Sequence, residues 1–146
     1  MTHSFKMTRL VEFAETDMAG IVHFSNFFRF MEVTEHSFFR SLGIPMHVDS
    51  EGGMSGWARV NATCDYHRPA RYQDLLEIEL IVLEKTVNSL RYSFTFRIID
   101  EATGSAGKAI ARGGMTVVHV AKSSGDARMR AADMPAEVAR LVDVAP

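Results

Sequence analysis

A single cysteine, Cys64, is all that 146 residues provide, so an internal disulfide is excluded, and no paired Cys/His spacing marks a structural zinc site. Four prolines are too few for a proline-rich linker, and no segment is repeated or of low complexity. No apolar run approaches the roughly 18 residues that a membrane span requires. Met1-Thr2-His3-Ser4-Phe5-Lys6 also lacks the long apolar stretch of a secretory signal. Neither sign of charge dominates. Sixteen Lys+Arg against eighteen Asp+Glu leave a formal charge of −2, which argues against a general binder of nucleic acid or another polyanion. The expectation is a cytoplasmic protein with no nucleic-acid or membrane partner. What is present is ordinary for a globular chain. Its 47% hydrophobic residues and its length suit one domain over 1–146, able to bury roughly 70% of its unfolded surface without a metal or disulfide staple.

The pattern along the chain begins with an imperfect period of two. Phe5, Met7, Arg9, Val11 and Phe13 alternate with Lys6, Thr8, Leu10 and Glu12, which predicts a first strand. It ends at Ala14–Gly20, a stretch with two carboxylates and a turn glycine. From Ser25 to Leu42 the period becomes helical, with Phe24, Phe27, Phe28, Met31, Phe38, Phe39 and Leu42 at spacings of three and four. Ser25 or Asn26 is suited to cap its start, and Gly43 followed by Pro45 stops it. Six phenylalanines between Phe24 and Phe39 predict a helix enclosed by protein on most sides. Ile44–Gly56, with Pro45 and three glycines, reads as loop with room for one short helical turn. Four strands follow, at Trp57–Tyr66, Leu75–Lys85, Leu90–Ile99 and Ala106–Ala121, with a short terminal helix at Pro135–Val142. One strand, one long helix and four successive strands predict an α+β fold in which a five-stranded antiparallel sheet wraps around the helix. The sheet's open face and edges predict pairing of two protomers.

The loop between the first strand and the helix is the first candidate for chemistry. Asp17 lies just ahead of a helix start, where unpaired N–H groups and a partial positive charge can stabilise an oxyanion forming on a carbonyl. A carboxylate there can attack an acyl carbon or activate water. Gly20 would let backbone approach a ligand. The plainer reading makes Asp17 a turn residue and Gly20 a source of positive φ.

The segment Glu15-Thr16-Asp17-Met18-Ala19-Gly20-Ile21-Val22-His23-Phe24-Ser25-Asn26-Phe27-Phe28 resembles the active-site segment of hotdog-fold acyl-CoA thioesterases of the 4-hydroxybenzoyl-CoA thioesterase-like group. The likeness continues through Phe30-Met31-Glu32, Leu42-Gly43-Ile44-Pro45, Arg68–Asp74 and the Asp100–Gly104 hairpin, in matching order over nearly the whole chain. It implies the hotdog fold, homodimers that share a sheet and often homotetramers, and hydrolysis of an acyl-CoA thioester. Carried over by position, Asp17 matches the catalytic aspartate, acting as nucleophile or general base. The Phe24 backbone N–H matches the donor that polarises the carbonyl. Gly20 and Asn26 match the motif's glycine and asparagine. Members commonly have Tyr-His or Phe-Tyr where this chain has His23-Phe24, so His23 takes only a supporting role, with a merely packed histidine as the alternative. No metal or redox cofactor is implied, since CoA belongs to the substrate.

Glu32, Glu35 and His36 suggest a metal site only on paper, because no further ligand has firm spacing. They read as a solvated or hydrogen-bonded helix face, with Glu32 also a candidate to orient the active-site loop. His67 and His119 have no partner spacing, and Cys64 reads as a packed thiol. Arg68, Arg71, Lys85, Arg91, Lys108, Arg112, Lys122, Arg128 and Arg130 are candidates to hold CoA phosphates. The resemblance favours the connection between the third and fourth strands and the loop after the last strand, and Lys85–Ser89 offers one lysine only. A thioester of an acyl-carrier protein therefore stays open as substrate, and so does a non-catalytic acyl-thioester binding module on the same fold.

Overall fold

The computed structural model describes residues 2–126 and 128–146. Seven strands and two α-helices follow one another as β1 (Ser4–Leu10), α1 (Asn26–Ser41), β2 (Val48–Ser50), β3 (Gly53–Tyr66), β4 (Leu75–Lys85), β5 (Ser89–Ile99), β6 (Ala106–Ser123), β7 (Arg130–Ala131) and α2 (Ala136–Leu141). The strands form one antiparallel sheet in the order β1-β4-β5-β6-β3-β2, and β7 pairs with the end of β6.

The five long strands are those expected, and two short ones raise the count to seven. β2 arises inside the Ile44–Gly56 segment expected to be loop: Val48–Ser50 folds back on Gly53–Ser55, so the glycine-rich stretch is a tight hairpin. Gly53 has φ 131°, and a Cβ there would fall 2.0 Å from the Lys122 carbonyl oxygen, so no other residue fits without a shift of backbone. β1 stops at Leu10, short of the expected Phe13. Val11 leaves the pleat to exchange backbone hydrogen bonds with the 73–74 turn, and Phe13–Glu15 closes a 3-10 turn secured by reciprocal Glu12 and Glu15 bonds.

Alternation sets the core. Leu76, Ile78, Leu80 and Val82 on β4 and Leu90, Tyr92, Phe94 and Phe96 on β5 are buried against α1. From α1 come Phe27, Phe30, Met31, Phe38 and Phe39, each contributing about 1.5–3 kcal/mol on burial. Close approach to the sheet is possible because β6 has glycine at 113: a Cβ there would lie 2.1 Å from the Met31 Cε. The helix is not enclosed on most sides as expected. Arg29, Glu32, Val33, His36 and Arg40 form an exposed stripe, because the sheet curls over one side of α1 only.

Candidate functional site

The segment between β1 and α1 is fixed by backbone pairing before any side chain contributes. Thr16 bridges Val22 and Ile21 bridges Arg71, while the Val22 N–H donates to the Ala70 carbonyl at 2.8 Å. Within this frame Asp17–Gly20 is a turn closed by the Gly20 N–H on the Asp17 carbonyl at 2.9 Å. Gly20 supplies φ 80°, and a Cβ there would meet nothing within 4 Å, so its conformation rather than close packing calls for glycine. The Asp17 side chain is partly exposed. Its Oδ1 accepts from the Ala19 N–H at 2.9 Å and the Ile21 N–H at 3.5 Å, and Oδ2 has no partner among the described residues. One carboxylate oxygen is thus held by the turn and the other is free to react.

Glu15 ties the turn to the body of the fold. Its carboxylate meets Arg9 and accepts from the Glu12 N–H at 2.8 Å. Its carbonyl accepts from both the His23 N–H at 2.9 Å and Asn26 Nδ2 at 2.8 Å. Asn26 therefore braces the loop instead of capping the helix, and Ser25, which stands at the cap position, makes no side-chain capping bond. The Ser25 hydroxyl bonds His23 Nδ1 at 2.8 Å, and the Ser25 N–H reaches the same nitrogen at 3.3 Å. His23 stacks on Phe24 with centroids 4.6 Å apart and makes no bond to Asp17. The Phe24 N–H donates to no acceptor among the described residues, at the end of α1 where backbone dipoles concentrate positive charge.

Asp17 and Phe24 line the same cavity, of about 450 Å³, within the usual range for small-molecule sites. Its walls are largely apolar: Ile21, Val22, Phe27, Pro69 and Ala70, with His67 and Arg68 at its edge. The remaining wall is Tyr66, which the sequence reading left without a role. Its hydroxyl donates to the Phe24 carbonyl at 2.9 Å, and its ring meets Phe27 edge-on at 5.3 Å.

A sequence profile of the thioesterase-like superfamily matches residues 11–142. The chain belongs to that superfamily. A putative esterase of Aquifex aeolicus is 39% identical over 95 residues, covering 65% of this chain and 70% of the relative. The 4-hydroxybenzoyl-CoA thioesterase of Pseudomonas sp. strain CBS-3 is 28% identical over 143 residues, covering 97% and 99%. The structure of an aspartate-to-asparagine mutant of a 4-hydroxybenzoyl-CoA thioesterase, complexed with 4-hydroxybenzoyl-CoA, superposes with a TM-score of 0.79 at 22% identity, over 97% of this chain and all of the other. The curled sheet around one helix is accordingly the hotdog arrangement that the sequence led us to expect.

Other expected site residues fall elsewhere in this thioesterase-family fold. Glu32 faces Arg59 at 3.8 Å and makes no bond to the 16–20 turn, so it does not orient the loop. Glu35 is not solvated: its side chain is 0% exposed and accepts from Arg59 Nη2 at 2.5 Å. Among the described residues no group of three His, Cys, Asp or Glu is placed to hold a metal ion. Lys85 donates to the Ala139 and Val142 carbonyls at 2.9 and 2.7 Å, which secures the end of α2 and occupies a lysine counted among the phosphate candidates. Arg91 is paired with Glu84 at 2.8 Å. The Arg128 and Arg130 side chains are exposed and make no ion pair among the described residues, although the Arg128 backbone N–H donates to Asp126 Oδ1 at 3.0 Å. Burial raises the Cys64 thiol to about 11, in keeping with a packed, unreactive cysteine.

Proposed function

We propose that the chain hydrolyses acyl-CoA thioesters to the free acid and CoA in the cavity between Asp17 and the start of α1. The observation that carries this reading is the pairing, across one apolar cavity, of a carboxylate oxygen and a backbone N–H that both lack partners among the described residues. The acyl group enters the cavity with its carbonyl oxygen toward the Phe24 N–H. Electron density drawn onto that oxygen as the carbonyl carbon is attacked is stabilised there, a contribution of roughly 3 kcal/mol for a well-aimed donor. Asp17 either adds its free oxygen to the carbon, giving an anhydride that water then opens, or takes a proton from the attacking water. In both routes the C–S bond breaks and CoA leaves as the thiolate, a good leaving group that needs no metal to depart. Gly20 and Asn26 hold Asp17 in place through the turn and the Glu15 carbonyl. His23 supports the helix start through Ser25.

The relatives' names add a substrate class to this reading. The 4-hydroxybenzoyl-CoA thioesterases among them are named for a CoA thioester with an aromatic acyl group, and an apolar cavity walled by Phe27 and Tyr66 suits a flat ring. Arg68, exposed and on the cavity wall, is the basic residue placed nearest the acyl site for the CoA phosphates, and Arg128 and Arg130, exposed beyond the last long strand, are those the resemblance favours. The working unit is a homodimer or homotetramer. The outer edge of β3 beyond Ser55 pairs with no strand among the described residues, and Val60 on it is 59% exposed, so a second β3 would complete the sheet. The unpaired Cys64 and the CoA substrate fit a cytoplasmic workplace. Among the described residues no helix is long and apolar enough to cross a membrane.

The test is thiol release from a panel of aroyl-CoAs, alkanoyl-CoAs and carrier-protein thioesters. Stoichiometric thiol and acid from an aroyl-CoA is the expected result. Saturable binding of the whole panel with no thiol released would instead establish a binding module.

A further inference from the structure

Tyr66, on the cavity wall, ties the far end of β3 to the turn that leads into α1. It stands 42 positions along the chain from its hydrogen-bond partner, the Phe24 carbonyl, which it reaches at 2.9 Å. Two edge-on ring contacts hold it there, with Phe24 at 6.5 Å and Phe27 at 5.3 Å, and Phe27 is in turn anchored on Phe96 at 5.1 Å. Within the turn the Phe24 carbonyl accepts only the Phe27 N–H, at a long 3.3 Å. Phe24 is 61% exposed, and the Tyr66 hydroxyl is the contact that ties its backbone to β3.

We infer that Tyr66 is a positioning residue: its hydroxyl holds the Phe24 backbone so that the Phe24 N–H stays aimed at the substrate carbonyl. The inference rests on the thioesterase reading above. Two physical effects act together. The bond restrains rotation of the Phe24 backbone, and a donor that must not reorganise during reaction is worth far more than one that must. The bond also satisfies the Phe24 carbonyl, whose other partner among the described residues is the Phe27 N–H at a long 3.3 Å. Burial together with its neighbour Cys64 raises the Tyr66 hydroxyl to about 12, so it stays protonated and able to donate throughout the working pH range. The ring and the hydroxyl have separable duties: the ring packs against the Phe24 and Phe27 side chains, and the hydroxyl bonds the Phe24 backbone.

Tyr66→Phe removes the hydroxyl and keeps the ring. The expected result is a fall in kcat of about tenfold with KM for an aroyl-CoA changed less than twofold and the thermal midpoint unaltered, because a bond that matters in the transition state is lost while ground-state binding is not. The carbonyl stretch of an aroyl-CoA bound to Asp17→Asn, isotope-edited at the thioester carbon, reads the polarisation directly. It should move back toward its value in water when Tyr66→Phe is added. Tyr72→Phe, a control whose ring packs against Phe13 away from the cavity, should leave both readouts unchanged. If the wild type hydrolyses aroyl-CoA while Tyr66→Phe keeps its kcat and its carbonyl frequency, the inference fails and the thioesterase reading stands. A loss of kcat that merely follows a fall in thermal midpoint would also overturn it, since Tyr66 would then be structural. Absence of thiol release by the wild type from any thioester overturns the thioesterase reading itself.

Discussion

Two carboxylates, Asp17 ahead of α1 and Glu35 in its middle, live in opposite surroundings. Asp17 sits on a turn, partly exposed, held by backbone N–H groups through one oxygen and free at the other. Glu35 is sealed beneath β3 and β5, paired with Arg59, and leaves Oε2 without a partner, as Tyr92 leaves its hydroxyl. Burial raises the Glu35 carboxyl above its ordinary range, opposed by the Arg59 guanidinium and the nearby Tyr92 hydroxyl. The Tyr92 hydroxyl is itself pushed well up, first by burial and then by Glu35. The difference teaches where each charge acts. A carboxylate held through one oxygen by fixed backbone donors keeps its other oxygen reachable, which suits chemistry. One enclosed by side chains is tied to the stability of the packed state and has no route to a substrate.

Several substitutions would break or sharpen that contrast. The largest effect belongs to Asp17→Asn, which keeps the turn's acceptor oxygen but loses the charge. Turnover of an aroyl-CoA should fall by about a thousandfold or more while the urea midpoint stays near the wild-type value. Arg59→Met should do the reverse. It strands Glu35 in the core at a cost of about 3 kcal/mol in urea unfolding, while kcat per folded molecule is retained. Glu35→Gln exposes the same site through pH. Well below the ordinary carboxylate range Glu35 is protonated in the folded and the unfolded chain alike, and its contribution to stability is intact. As pH rises toward the raised value of the folded state, the unfolded chain gives up the proton first and stability declines. Unfolding free energy followed across that interval should slope downward in the wild type and lose that component in Glu35→Gln; identical slopes would refute the assignment. Gly20→Ala should have the smallest effect, destabilising by about 1 kcal/mol because φ 80° is strained for any residue with a Cβ, although space for one is open.

The sequence was most legible where period and punctuation agree. The strict alternation of Leu76, Ile78, Leu80 and Val82 placed β4, and Gly43-Pro45 marked the end of α1 close to where the helix stops. It was least legible where pairing partners decide. β1 ends early because Val11 bonds the 73–74 turn, a contact across more than sixty residues that no local pattern records. The 44–56 segment looked like loop because glycine carries no strand preference, yet Gly53 is what lets the hairpin press against β6. At the site, the Asp17–Asn26 spacing was readable, but the duties of Asn26 and Ser25 were not, since both chose partners outside the helix. Tyr66 was hidden by the bulge between Arg59 and Asn61. Counting by twos from inward-facing Trp57 puts residue 66 on the outer face, whereas the extra residue turns Cys64 and Tyr66 inward.

The central claim, that Asp17 and the Phe24 N–H act on one thioester from two sides of one cavity, is tested most directly by a crystal structure of Asp17→Asn with an unhydrolysed aroyl-CoA bound. The account predicts the acyl ring against the wall that Phe27 and Tyr66 form together, the thioester carbonyl oxygen within hydrogen-bond distance of the Phe24 nitrogen, and the residue-17 side chain facing the carbonyl carbon. A thioester seated elsewhere, for example in the trough on the outer face of the sheet beside Gly114 and Arg112, would contradict it.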